Sequence, residues 1–134
     1  MAETFQFDLV SPERSILSGP ALMVTVPGME GDFGVLKGHA PFMSTLRPGI
    51  VEIQRGNGEA LKVFVSGGFA DVTPAGLTLL ADDAIEASEL DGEIIDKLVA
   101  VAEADKAHAA DDQAKAAIDQ RLRDLEQVRT QLRA

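Results

Sequence analysis

No cysteine, tryptophan or tyrosine occurs in this chain, and phenylalanine appears only six times. Without cysteine there is no disulfide, no thiolate nucleophile and no thiolate-held metal. The redox compartment is therefore undecided, with a reducing cytoplasm as the default expectation. Scarce aromatics argue against a platform on which single-stranded bases stack. The formal net charge of −10 points the same way, because it repels a phosphate backbone. No nucleic-acid partner is expected. No run of about eighteen apolar residues occurs, so no membrane-spanning helix is expected and membrane contact has to come through a partner. The start, "MAETFQFDLV", shows neither a basic stretch leading into an apolar run nor an Arg-rich transit pattern.

What is present is a hydrophobic fraction of 46% in 134 residues, enough for a real core in one domain, or one domain with an appendage. Up to about Ala87 the apolar residues recur in period two. Phe5, Phe7 and Leu9 alternate with Gln6 and Asp8, as in a half-buried strand. Leu22, Val24 and Val26 repeat the pattern, and Pro27-Gly28 is expected to end it. Asn57-Gly58, between "IVEIQR" and "EALKVFVS", predicts a hairpin. "FADV" and "LTLLA" flank a turn at Pro74-Ala75-Gly76. Many short strands with no helix between them predict a β-sandwich or flattened barrel over residues 1–87.

From Ser88 to Ala134 the period becomes 3.6. Ser88 is expected to cap a first helix, with Leu90, Ile94, Leu98, Val101 and Ala102 on one face. After a break at "AHAADD", Asp111 or Asp112 is expected to cap a second helix. Its apolar stripe is Ala114, Ile118, Leu122, Leu125, Val128 and Leu132. Two helices with a short connection form an antiparallel hairpin, giving domains 1–87 and 88–134. Residues 89–112 hold eight acidic groups against two lysines, whereas residues 113–134 hold five basic groups against three acidic ones. The two helices thus attract each other, and Arg121, Arg123 and Arg129 are also placed to meet an acidic partner.

Catalytic chemistry finds little support. His39 has no second histidine or cysteine at metal-ligand spacing, so a metal site is not expected. "GDFGVLKG" is glycine-rich, but it is not a phosphate loop and leads into no helix. Ser44, Ser66 and Ser88 lack nucleophile-elbow surroundings. The chain reads as non-catalytic.

Four blocks in order, "VSPERSILSG", "VTVPGMEGDFGVLKGHAPFMSTLRPGIV", "VFVSGGFADV" and "LTLLADDA", resemble the epsilon subunit of bacterial and chloroplast F-type ATP synthases. The resemblance implies a ten-stranded β-sandwich followed by a two-helix hairpin. It implies a non-catalytic rotor subunit of the central stalk, linking the gamma subunit to the c-ring. By position, Ser11 and His39 match contacts to gamma, and Glu30, Gly31 and Asp32 match contacts to the c-ring. The helices are implied to extend toward the alpha and beta subunits and to restrain ATP hydrolysis. Such a protein is peripheral, at the cytoplasmic face of a bacterial inner membrane, since no transit pattern is seen.

One departure bears on cofactors. Many relatives carry [IL]-D-x-x-R-A at the first helix, a regulatory ATP site. Here Leu90 and Asp91 remain, while Ile94 and Ile95 replace Arg and Ala. Losing a guanidinium that binds polyphosphate argues against regulatory ATP, although Arg121, Arg123 and Arg129 are still candidates for phosphate contact. No cofactor is expected. The competing reading is a stand-alone β-sandwich adaptor that binds protein.

Overall fold

The computed structural model describes residues 3–13, 15–56, 58 and 60–133, the last two as backbone. Asn57 of the expected hairpin turn and the side chain of Leu132 lie outside the described residues. Two compact units are formed, Met1–Ala87 and Ser88–Ala134.

Among the described residues the first unit holds ten strands: β1 (Phe5–Val10), β2 (Ser15–Ala21), β3 (Met23–Gly28), β4 (Gly31–Val35), β5 (Phe42–Leu46), β6 (Gly49–Gln54), β7 (Ala60–Val65), β8 (Gly68–Thr73), β9 (Gly76–Ala81) and β10 (Ala84–Glu86). They join in one sheet that folds over on itself, in the order β10-β7-β6-β3-β5-β8-β9-β1-β2, with β4 added beside β3. Period two is obeyed where it matters. Phe7, Leu9, Val24, Val26, Val51, Ile53, Val63, Val65, Leu77 and Leu79 all point inward and are essentially inaccessible. Removing inward side chains of this size costs about 2–5 kcal/mol each.

The strand expected to end at Pro27-Gly28 continues through both residues. The chain turns at Met29-Glu30 and β4 folds straight back, so Val26 faces Phe33 and Gly28 faces Gly31. On its other edge β3 pairs with β6 only at residues 23–25, and then with β5 at Gly28↔Leu46. Pro27, which has no N–H to donate, falls in the gap between these two pairings, a tolerated place for proline. Its carbonyl accepts from the Arg47 N–H at 3.0 Å. The β1–β9 pairing is parallel and runs from Gln6↔Gly76 to Val10↔Leu80.

A 3-10 turn at Ala87–Glu89 spans the boundary in sequence, and the second unit holds α1 (Gly92–Ala107) and α2 (Asp112–Arg133). The cap of α1 is Asp91 rather than Ser88: its carboxylate accepts from the Ile94 N–H at 2.9 Å. A carboxylate at that position also suits the positive end of the helix dipole. Asp111 caps α2 through the Ala114 N–H at 2.8 Å. The inward face of α1 is rotated from expectation. Ile95 and Ala102 are buried, whereas Val101 is exposed. On α2, Leu125 and Val128 are buried as expected, with Ala114, Ile118 and Leu122 half-buried. Lys106–Asp119 (2.6 Å) and Arg129–Asp96 (2.8 Å) link the two helices.

Gly68 opens β8 at φ 135°, and a Cβ there would overlap the carbonyl oxygen of Leu80 on β9. Gly92 opens α1, and a methyl added there would meet nothing within 4 Å. Gly68→Ala is expected to lose about 1–3 kcal/mol of stability through forced backbone strain. Gly92→Ala is expected to be neutral or to gain up to about 1 kcal/mol. Denaturant unfolding of the two variants checks both; equal stabilities would refute the close approach at Gly68.

Candidate docking surfaces

The residues singled out from the sequence lie at two ends of the sandwich. Strand register sorts them. Ser11 follows Val10, which pairs with Leu80; Ala81 pairs with Gly68, Gly68 with Leu46, and Leu46 with Gly28. Ser11 and the Glu30–Asp32 tip therefore share one end. His39 lies past the far end of β4, near Phe42, which pairs with Val72. Five residues of strand separate the ends, roughly 15 Å at about 3.3 Å per residue.

At the first end, Ser11 lines a cleft of about 200 Å³ with Pro12, Glu13, Ile16, Asp82, Asp83 and Ala84. Glu30, Gly31 and Asp32 are all exposed. Asp32 accepts a hydrogen bond from Arg47 Nη2, and Arg47 Nη1 donates to the Gly28 carbonyl at 2.6 Å. Arg47 escaped the sequence reading because fifteen residues separate it from Asp32, and only the β3–β5 pairing brings the two together.

At the other end, His39 sits in the turn after β4. Gly38 takes φ 83°, a conformation disfavoured for residues with a side chain. The turn is closed by the His39 N–H donating to the Leu36 carbonyl at 3.2 Å. His39 Nδ1 lies 3.1 Å from the Ala40 carbonyl, to which it donates when that nitrogen carries the proton. The ring also packs 5.5 Å from the Phe42 ring, which stands 5.0 Å and edge-on from Phe33. These contacts shape a loop, and no hydrogen bond or ion pair joins the imidazole to another side chain among the described residues. No group of three metal-capable side chains is found among the described residues.

Between the two ends lies a surface the sequence reading missed. Met43 on β5, Phe69 on β8 and Leu80 on β9 are 71%, 53% and 50% exposed. Phe69 pairs directly with Leu80, and Leu80 with half-buried Val10. Met43 lies one outward step along, beside Asp71. Its signal in the sequence was a doubled apolar residue where alternation calls for a polar one: Phe42-Met43 and Leu79-Leu80. An apolar patch of this kind on a chain so highly charged makes this face a candidate contact surface.

The helical candidates are mostly engaged. Leu90 is buried, and the Asp91 carboxylate serves as the α1 cap. Arg129 is bound by Asp96 and lies 3.4 Å from Glu126. The Asp96 hydrogen bond, aided by the charges of both acids, holds its guanidinium above the usual arginine range despite some loss of solvent. Arg123 donates to Gln120 Oε1 at 2.7 Å. Arg121 is half-buried and Arg123 exposed. Asp124 is buried and accepts from Gln120 Nε2 at 3.0 Å.

The family model for the beta-sandwich domain of the ATP synthase delta/epsilon chain matches residues 4–87. The ATP synthase epsilon chain of Parvibaculum lavamentivorans is 47% identical over 129 residues, covering 96% of this chain and 98% of the relative. That of Rhodospirillum rubrum is 47% identical over 125 residues, covering 87% and 92%. A chain in the Euglena gracilis mitochondrial ATP synthase structure, which comprises OSCP, F1 and the c-ring, superposes with a TM-score of 0.75 at 28% identity, covering 96% of this chain and 81% of that one. One in the Tetrahymena thermophila central stalk and c-ring structure shares the fold at a TM-score of 0.57 and 16% identity, covering 66% and 71%. Sandwich, helices and near-full-length identity converge, and the chain belongs to the ATP synthase delta/epsilon family as an epsilon chain of bacterial type, a non-catalytic subunit of the F-type ATP synthase central stalk.

Proposed function

We propose that the outward face of Met43, Phe69 and Leu80 docks this chain onto the gamma subunit, flanked by Ser11 at one end and the His39 turn at the other. The carrying observation is that exposed apolar face. Covering on the order of 300 Å² there gains roughly 7 kcal/mol at about 25 cal/mol per Å², before the costs of association. Phe69 is the natural anchor, since aromatic side chains at the centre of a contact dominate its energy. The Glu30 tip, next to Ser11, is directed at the c-ring, so that the sandwich links the two. Among the described residues, no helix is long and apolar enough to cross a membrane. We place the protein at the cytoplasmic face of the bacterial inner membrane, as a peripheral part of the complex.

The hairpin is assigned the restraint of ATP hydrolysis. Extending it toward the alpha and beta subunits breaks the Lys106–Asp119 and Arg129–Asp96 pairs and exposes Ile95, Leu125 and Val128. Arg121 and Arg123 are the cations best placed for an acidic partner, because Arg129 already holds two carboxylates. Regulatory ATP is not part of this reading: Asp91 is spent on its cap, and Ile94 supplies no charge.

Three outcomes are expected. Phe69→Asp weakens binding to gamma by at least about 30-fold, the scale of a contact anchor, with the circular dichroism of the chain unchanged; wild-type affinity would remove this face from the interface. ATP hydrolysis by the assembled complex rises when residues 88–134 are deleted, and an unchanged rate would take the hairpin out of regulation. Calorimetric titration of the isolated chain with ATP gives a Kd no tighter than about 1 mM, whereas micromolar binding would overturn the argument from Ile94.

A further inference from the structure

The β3–β4 tip is held from outside its own hairpin. Arg47, in the turn between β5 and β6, is largely buried, with its side chain 17% exposed. Its guanidinium is a planar fork that satisfies two acceptors at once. One arm donates to the Gly28 carbonyl at 2.6 Å and the other to Asp32 Oδ1. Backbone bonds add to the same clamp: the Arg47 N–H donates to the Pro27 carbonyl at 3.0 Å and the Met29 N–H to the Thr45 carbonyl at 2.8 Å. Both shoulders of the turn, Gly28 and Asp32, are thereby tied to a single side chain. At the apex, Glu30 is exposed and makes no hydrogen bond or ion pair among the described residues.

We infer that Arg47 is the positioning residue of this tip: it withdraws the Asp32 carboxylate from partner contact and presents Glu30 as the group that meets a cationic partner loop. The assignment rests on the reading that the tip reaches the c-ring. It changes what the acidic pair does. Asp32, expected from the sequence as a contact, is an internal ligand whose charge is balanced by Arg47. Glu30 has no ion-pair partner among the described residues and sits on a turn whose two shoulders are tied down. A pre-ordered carboxylate spares the ordering cost a mobile loop would incur on docking. Lysine at position 47 would carry the charge but lacks the fork that joins Gly28 to Asp32.

The test uses the full-length chain, added to its own ATP synthase from which this subunit has been stripped, in liposomes. The readout is the concentration that restores half-maximal ATP-driven proton pumping, with amide hydrogen exchange at Met29 followed in the free chain. Arg47→Gln and Asp32→Ala are each expected to raise that concentration about tenfold, the double variant no further, since the two act through one contact. Both accelerate exchange at Met29. Glu30→Gln raises the half-maximal concentration as well but leaves exchange unchanged. Asp32 is a surface residue, so its variant keeps the test valid if Arg47→Gln fails to fold. Additive effects of Arg47→Gln and Asp32→Ala would mean that Asp32 touches the partner itself, which overturns the inference. So would faster exchange with unchanged pumping, provided Glu30→Gln still weakens it. If none of the variants, Glu30→Gln included, affects pumping, the tip is no contact and the underlying reading falls with the inference.

Discussion

The sandwich depends on where its first strand goes. β1 inserts between β2 and β9, antiparallel to one and parallel to the other, and places Phe5, Phe7 and Leu9 in the core. The parallel partner lies some seventy residues away in sequence (Gln6↔Gly76), so this pairing closes the longest loop in the unit. Such a closure costs conformational entropy that only many buried side chains repay. It sets Val10 beside Leu80 and brings Ser11 to the end occupied by the β3–β4 turn. The apolar outer face and both loop ends follow from that one register.

Much of the fold was legible because a half-buried strand has no alternative pattern: Phe5-Phe7-Leu9 and Val24-Val26 can face one core in only one way. What was not legible depended on partners distant in sequence. Pro27-Gly28 reads locally as a stop, yet β3 continues because β4 and β5 supply its bonds and no N–H is asked of the proline. Ser88 and Asp91 both fit a cap, and helix phase decided between them. The same phase turned Ile95 inward and Val101 out. Leu98 and Ala102 fit either face, so the stripe could not be fixed from spacing. A charge run usually marks a solvated surface, but Asp124 is buried, 5% exposed, with Gln120 one turn earlier to bond it.

The candidate sites were legible as locations more than as roles. In the stretch from Glu30 to Val51, His39 is held by its own turn through the Leu36 and Ala40 carbonyls. Arg47, within the same stretch, carried no visible signal, since its partners are defined only by a strand pairing. The exposed face of Met43, Phe69 and Leu80 showed itself in the sequence only as two breaks in alternation. A protein-binding adaptor would present a comparable face, but identity along nearly the whole chain to ATP synthase epsilon chains decides between the two readings.

The two loop ends are joined by β4, β5, β8, β9 and β1, all running lengthwise between them. Inter-strand hydrogen bonds lie crosswise to the strands. A pull or push applied between the ends therefore loads a whole ladder in shear, all bonds sharing the load, instead of peeling them apart one after another. A sandwich gripped at both ends of its strands behaves as a stiff strut, and a part placed in a turning shaft gains from stiffness in that direction above any other.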